Sequence, residues 1–319
     1  MVPERVVLLA DNTVAAKRLD EIKAAAPGLT VRLVAGGDEA LGPAMAAPGV
    51  EVVAGDPPAA SLAAAHDLKW LQSWSAGVDH ALSPELVAHP AVLTCAKGNG
   101  AVPLAEHAIL LMLMLDRDAV RWVDDQKARR WEWRTHGELN GHTVGIIGLG
   151  YSGADLAEKA KAFHMTVLGL SRSGRPVPHV DEVFTPDGLH EVMRRSDFVV
   201  MTAPLTDETR GMLDEAAFRA MKKTAFYVCF SRGGIADDAA LLKALQEGWI
   251  AGAGLDAHSV EPLPKDSPFW DAPNTIITPH NGASSLGTRQ RGADIFIANL
   301  KRYAAGQPLF NVVDKQAGY

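Results

Sequence analysis

The stretch Gly141–Ser173 constrains this chain more than any other. It sets Gly148, Gly150 and Gly153 between a strand-like apolar run, Thr143–Ile147, and a helix-like run, Ala154–Phe163, and a second apolar run, Thr166–Leu170, follows. Strand, glycine turn, helix and strand in that order form a βαβ unit. Such a unit receives an anion at the helix N-terminus, where free N–H groups and the helix dipole favour negative charge. Each glycine has its own steric duty: a tight turn, close approach of backbone to a pyrophosphate, and packing of helix on strand. The unit therefore predicts dinucleotide binding at Gly148, Gly150 and Gly153. The plainer alternative is a tight turn that holds no ligand.

A site for NAD ordinarily closes the second strand with Asp or Glu, which accepts hydrogen bonds from the ribose hydroxyls. Here that place reads Leu170-Ser171-Arg172-Ser173-Gly174-Arg175, without a carboxylate. The hydroxyls of Ser171 and Ser173 and the guanidinium groups of Arg172 and Arg175 suit a 2′-phosphate, which Arg can grip in a bidentate way. NADP is the expected cofactor and NAD the alternative, on which the two arginines are only solvated loop charges.

Strand-like and helix-like runs alternate on both sides of this unit. Before it, Arg5–Ala10, Val31–Val34, Val50–Ala54, Leu68–Ser73 and Val92–Thr94 read as strands and Val14–Ala26 as a helix. After it, Phe198–Thr202, Ala225–Phe230, Gly252–Leu255 and Thr275–Thr278 read as strands, with helices at Asp214–Met221, Asp237–Glu247 and Arg289–Ala304. This rhythm predicts an α/β protein with two doubly wound parallel sheets. With 319 residues there is room for about two domains. The expected division is a Rossmann dinucleotide-binding domain over residues 100–285, with six strands, and a flavodoxin-like substrate domain over residues 1–99 and 286–319. An active-site cleft is expected between them.

The net charge of −7 gives no reason to expect a nucleic-acid or acidic-membrane partner. The most apolar segment, Leu104–Leu115, contains Glu106 and His107 and is shorter than the ~20 residues of a membrane span. Cys95 and Cys229 stand far apart and read as free thiols, and the N-terminus runs into a strand without a secretory leader. A cytoplasmic location and no metal centre are expected.

Three residues at predicted strand ends carry the chemistry that a bound nicotinamide would need: Arg232, Glu261 and His280. Carboxyl ends of strands are where open α/β sheets bind ligands. Arg232 would hold a substrate carboxylate and polarise a ketone. His280 would donate a proton to the oxygen, and Glu261 would orient His280 and favour its charged form. Taken singly, each also reads as an ordinary loop residue.

With these residues in view, the chain resembles the D-isomer-specific 2-hydroxyacid dehydrogenases, a family that includes glyoxylate/hydroxypyruvate reductases, D-lactate dehydrogenases and phosphoglycerate dehydrogenases. The likeness rests on Ser75-Ala76-Gly77-Val78-Asp79, Ala105-Glu106-His107, the glycine unit, Ala203-Pro204-Leu205-Thr206 with Thr209, Ser231-Arg232-Gly233-Gly234, Gly254-Leu255-Asp256, Glu261-Pro262 and Thr278-Pro279-His280. It implies that the backbone at Ala76 and Gly77 holds the substrate carboxylate, with Trp74 beside it as a pocket wall or as core. It implies cofactor contacts at Tyr151, Ser152, Ala203, Pro204, Thr209, Phe230, Ser231 and Asp256, the last near the nicotinamide amide. Cys229 departs from the Asn common at its position. The region Arg129–Arg134, with Trp131 and Trp133, matches a part of the family that belongs to a dimer contact, so a homodimer is expected.

The expected function is reduction of a small 2-oxo acid, of the glyoxylate or hydroxypyruvate kind, to its D-2-hydroxy acid with NADPH. The alternatives are an NAD-dependent D-lactate- or phosphoglycerate-type dehydrogenase, a reductase of a bulkier 2-oxo acid, and a non-catalytic dinucleotide-sensing corepressor.

Overall fold

The computed structural model describes residues 4–11, 13–78 and 81–318. The chain folds as two compact units, Met1–Gly100 with Ser285–Tyr319, and Ala101–Ser284.

The first unit holds five strands: β1 (Val6–Ala10), β2 (Thr30–Val34), β3 (Val50–Ala54), β4 (Trp70–Gln72) and β5 (Val92–Thr94). They pair in parallel in the order β2-β1-β3-β4-β5, which is the flavodoxin-like order. Every residue of β1 and β3 is buried, as expected of central strands covered on both faces. One cover is the helix Leu286–Ala304, capped by Ser285, whose Oγ accepts from Thr288 N at 3.0 Å. Phe296, Ile297 and Leu300 of this helix pack against Val7, Leu9, Val52 and Trp70.

One carboxylate is built into this unit. Glu51, on β3 between apolar neighbours, accepts from Arg5 Nε at 2.9 Å, Lys69 Nζ at 2.5 Å and Tyr303 Oη at 2.9 Å. Burial pushes its pKa up, but the three donors outweigh burial and hold it at about 2. Burial, and then the same hydrogen bond, raises Tyr303 to about 12. A depressed carboxylate contributes stability that is present above its ordinary range and lost as the pH falls toward the folded value. Glu51→Gln should therefore cost about 2–3 kcal/mol at neutral pH in urea unfolding. The gap to the parent should close as the pH falls from about 5 toward about 2.

The second unit holds β6 (Thr143–Ile147), β7 (Thr166–Leu170), β8 (Glu182–Phe184), β9 (Phe198–Met201), β10 (Phe226–Cys229), β11 (Gly252–Leu255) and β12 (Thr275–Ile277). All pair in parallel, in the order β12-β11-β10-β9-β6-β7-β8. This is the Rossmann order with one further strand, β12, at the end beyond β11. The sheet thus has seven strands where the sequence suggests six. The unforeseen one, β8, has three residues, none buried, at the other edge of the sheet, so its sequence carries almost no apolar signal. Apolar layers lie on both faces of the sheet, one including Met201, Phe218, Tyr227 and Leu255 and the other including Ile146, Ala157, Val200 and Val228.

The apolar segment Leu104–Leu115 lies in the helix Ala101–Asp116, which buries Ala105, Ala108, Leu111 and Met112 and leaves Leu110 half exposed. Among the described residues no helix is long and apolar enough to cross a membrane. Cys95 and Cys229 are both free and buried.

Candidate active site

The glycine turn follows β6. Gly148 has φ +107°, and a Cβ there would lie 2.7 Å from Ala203 N, so only glycine fits. A Cβ on Gly153 would lie 2.1 Å from the Gly148 carbonyl oxygen, which makes this glycine the point where helix meets turn. Gly150 is different, because a Cβ there would meet nothing within 4 Å. It is the N-cap of the helix Tyr151–Ala162, and no side chain caps that end. Open space in front of uncapped N–H groups fits a pyrophosphate. Tyr151 is exposed and Ser152 half-buried beside this space.

At the end of β7, Ser171 N donates to Phe184 O at 2.9 Å, while the Ser171 hydroxyl is buried without a partner. Arg172, Ser173 and Arg175 are exposed, and Ser173 Oγ accepts from Arg175 N at 3.3 Å. The fold brings up one group that the local sequence does not show. Glu208 Oε2 lies 4.0 Å from Arg172 Nη1.

The loop after β9 leads from Ala203, buried against Gly148, through the exposed Pro204. Thr209 Oγ1 donates to Pro204 O at 2.7 Å and accepts from Thr206 N at 2.8 Å, so this hydroxyl shapes its own loop. Phe230 is buried in the core, which leaves its backbone as the part able to meet a cofactor. The next hydroxyl, Ser231 Oγ, is buried and unpaired.

Arg232, Glu261 and His280 follow the carboxyl ends of three neighbouring strands, β10, β11 and β12. His280 Nδ1 lies 2.9 and 2.8 Å from the two oxygens of Glu261. An ionised carboxylate only accepts, so Nδ1 carries a proton and Nε2 is the nitrogen left to exchange one. Glu261 Oε1 also accepts from His258 N at 2.9 Å. Arg232 Nη1 donates to Ser231 O at 2.8 Å, and Cys229 Sγ donates to Arg232 O at 3.6 Å. The turn bearing Arg232 touches the loop bearing Glu261, since a Cβ on Gly233 would lie 2.0 Å from the carbonyl carbon of His258.

Asp256, which the resemblance sets near the nicotinamide amide, also braces the His280 loop. It is fully buried, and its oxygens accept from Thr278 Oγ1 at 2.6 Å, Asn281 N at 3.0 Å and Gly282 N at 2.9 Å. These bonds tie the carboxylate to the two ends of the His280 loop. Because Thr278 Oγ1 donates to Asp256, it accepts from His107 Nε2 at 3.0 Å. His107, on the helix Ala101–Asp116, thus extends the chain of hydrogen bonds that holds the loop.

Residues 109–282, more than half of the chain, match the family model for the D-isomer specific 2-hydroxyacid dehydrogenase, NAD binding domain. The chain belongs to the D-isomer-specific 2-hydroxyacid dehydrogenase family. These are NAD(P)-dependent dehydrogenases, and the cofactor is a nicotinamide dinucleotide. A glyoxylate reductase of Pyrococcus furiosus is 36% identical over 223 residues, which cover 66% of each chain, just under two thirds of the relative's length. A solved D-isomer specific 2-hydroxyacid dehydrogenase family protein from Aeromonas salmonicida superposes with a TM-score of 0.87 at 32% identity, covering 98% of this chain and 99% of that one. An NADPH-dependent glyoxylate/hydroxypyruvate reductase from Sinorhizobium meliloti, solved with NADP and sulfate, gives 0.79 at 30% identity, with 99% and 100% covered.

In the first unit of the dehydrogenase, the expected carboxylate-holding residues follow β4. Ala76 is exposed and Gly77 half-buried, and Ser75 O accepts from Ala96 N at 2.9 Å. Asp79, in the same motif, lies outside the described residues. Trp74, half-buried, packs edge-on against Phe296 with ring centroids 5.4 Å apart. On the second unit Trp131 and Trp133 are almost fully exposed.

Proposed function

We propose that this dehydrogenase reduces a small 2-oxo acid of the glyoxylate or hydroxypyruvate type to the D-2-hydroxy acid, using NADPH, with His280 as the proton donor. The carrying observation is the His280–Glu261 pair, 2.8 Å apart beside the Arg232 turn. The reduced nicotinamide supplies hydride to the carbonyl carbon. Arg232 draws the carboxylate and the carbonyl oxygen toward its guanidinium and stabilises the negative charge that grows on that oxygen. His280 passes the proton at Nε2 to the oxygen, giving the alcohol, while Glu261 steadies the ring through Nδ1. Run backward, the neutral ring takes the proton from the hydroxyl. The second unit would hold the cofactor, and the first would hold the substrate carboxylate on the backbone at Ala76 and Gly77.

The preference for NADP rests on Ser171, Arg172, Ser173 and Arg175 after β7, and the NADP-bound Sinorhizobium relative is in keeping with it. Glu208 sets a counterweight, since a carboxylate 4.0 Å from Arg172 offsets part of its attraction for phosphate. Replacing both Arg172 and Arg175 with Ala should raise the KM for NADPH about tenfold to hundredfold and move the KM for NADH less than threefold. The NADPH penalty should shrink at high salt, and steady-state assays with both cofactors at two ionic strengths read all of this. The exposed Trp131 and Trp133 suit burial against a second copy of the chain in a homodimer.

The reading as a whole is tested by following oxidation of NADPH and NADH with a panel of 2-oxo acids. Turnover of glyoxylate or hydroxypyruvate, fastest with NADPH, is the expected result. Turnover only with pyruvate-like or bulkier acids and NADH would move the enzyme toward the D-lactate type. No turnover with tight dinucleotide binding would favour the corepressor, a role that has no use for a proton relay.

A further inference from the structure

We infer that His258 is a further positioning residue of the dehydrogenase, whose uncharged ring keeps the turn of Arg232, the loop of Glu261 and the strand end before His280 in register. This inference rests on the proposed reaction, in which those three residues act together. His258 is assigned no contact with substrate or cofactor and acts through its neighbours.

His258 lies where the three stretches meet. Its backbone N–H donates to Glu261 Oε1 at 2.9 Å, and both oxygens of that carboxylate meet His280 Nδ1, at 2.9 and 2.8 Å. Its carbonyl group backs onto the Arg232 turn, since a Cβ on Gly233 would lie 2.0 Å from the His258 carbonyl carbon and 2.3 Å from its oxygen. The next residue pins the segment from the other side, where Ser259 Oγ donates to Asp238 Oδ1 at 2.8 Å. The ring lies by the carbonyl of Thr278, two residues before His280. One short segment thus touches all three stretches, and a shift in it would be felt at each of them.

The charge on the ring decides whether it can stay there. An imidazolium carries a proton on both ring nitrogens, and the one on Nε2, a buried atom without a hydrogen-bond partner, would point at no acceptor. Three carboxylates favour the charged ring: Glu261 on its own segment, Asp238 on the helix Asp238–Gln246, and Asp256 at the end of β11. The Thr278 carbonyl acts in the same sense, but burial outweighs all four and holds the pKa below its ordinary value of 6.5. The cations nearby oppose a further positive charge: Arg232 on the turn packed against His258, and His280, when protonated, on the same Glu261. Asp266 lines the same open depression as His258, Arg232 and Asp238. At neutral pH the ring is therefore uncharged and in place. As the pH falls, the imidazolium would turn toward water in that depression, and the segment up to Glu261 would follow, taking the carboxylate off His280.

The test compares His258→Phe, which keeps a ring of similar size but cannot be charged, with His258→Ala, both in the full chain with its dinucleotide. In the parent, kcat/KM for the 2-oxo acid should fall about tenfold per pH unit on an acid limb below pH 6.5. In His258→Phe the limb should be gone, with kcat/KM level within about twofold down to about pH 5. His258→Ala should lower kcat about tenfold at neutral pH and leave the KM for NADPH within about twofold, and the phenyl ring should restore most of that loss. Ring nitrogen NMR spectra of His280 with NADP bound read the same event without turnover. From about pH 8 to about 5 they should report two protonation steps in the parent and one in His258→Phe. An acid limb or a second spectral step that persists in His258→Phe, or a kcat within twofold of the parent in His258→Ala, overturns the inference. A parent that turns over no 2-oxo acid defeats the proposed reaction instead, and the spectra still decide the role of His258.

Discussion

Replacing His280 with asparagine should lower kcat/KM for the 2-oxo acid by about a thousandfold while leaving NADPH affinity within about twofold. The choice of variant follows from the backbone. His280 has φ +49°, in the left-handed region that Asn tolerates better than most residues with a side chain. Alanine would mix loss of the imidazole with strain in the loop, whereas asparagine removes the proton donor and keeps the bend. It cannot donate as an acid at any working pH, so the carbonyl oxygen would have to draw its proton from water. Pre-steady-state hydride transfer and a fluorescence titration with NADPH separate the two quantities. A fall of less than tenfold would mean that the proton comes from another group.

The second large effect is expected at a residue that need not touch substrate. In Asp256→Asn one acceptor oxygen becomes an NH₂ group, which must face one of the three donors Thr278 Oγ1, Asn281 N and Gly282 N in a fully buried place. Leaving a donor unpaired there costs about 1–3 kcal/mol. The loop between Thr278 and Gly282 carries His280, so kcat should fall about thirtyfold to hundredfold while the KM for NADPH changes little. Thermal unfolding measured beside the kinetics separates positioning from bulk stability. A lower Tm with unchanged kcat would reduce Asp256 to a structural brace.

What the sequence makes legible here is whatever depends on neighbours along the chain. The glycine turn is local, and Gly148, Gly150 and Gly153 sit where the strand-turn-helix pattern predicts, although the helix begins at Tyr151, three residues before the apolar run. The fully apolar strands β1 and β9 are equally plain, because burial on both faces leaves no polar alternation to misread. Illegible features are those made by residues distant in sequence. Glu208 reaches Arg172 from another loop, and the chain from His107 through Thr278 to Asp256 joins a helix to two strand ends. Asp256 shows the limit most clearly. Nothing along the chain shows what this carboxylate accepts from, and only its burial and its three donors reveal that it holds the next loop. Trp74 is similar, since its packing on Phe296 depends on a helix more than two hundred residues away.

The succession of β10, β11 and β12 side by side works as a ruler for any attempt to re-engineer this protein. Parallel strands repeat every 4.7–4.9 Å or so, and their pleat alternates with every residue. Groups hung just beyond their ends therefore inherit a lateral pitch that no surface substitution can alter. Exchanging side chains at 232, 261 or 280 would retune the chemistry in place, but adding a single residue within any of these strands would turn its tip toward the opposite side of the sheet. Diversification by length is thus confined to the stretches beyond the tips, and the strands themselves admit change only in composition.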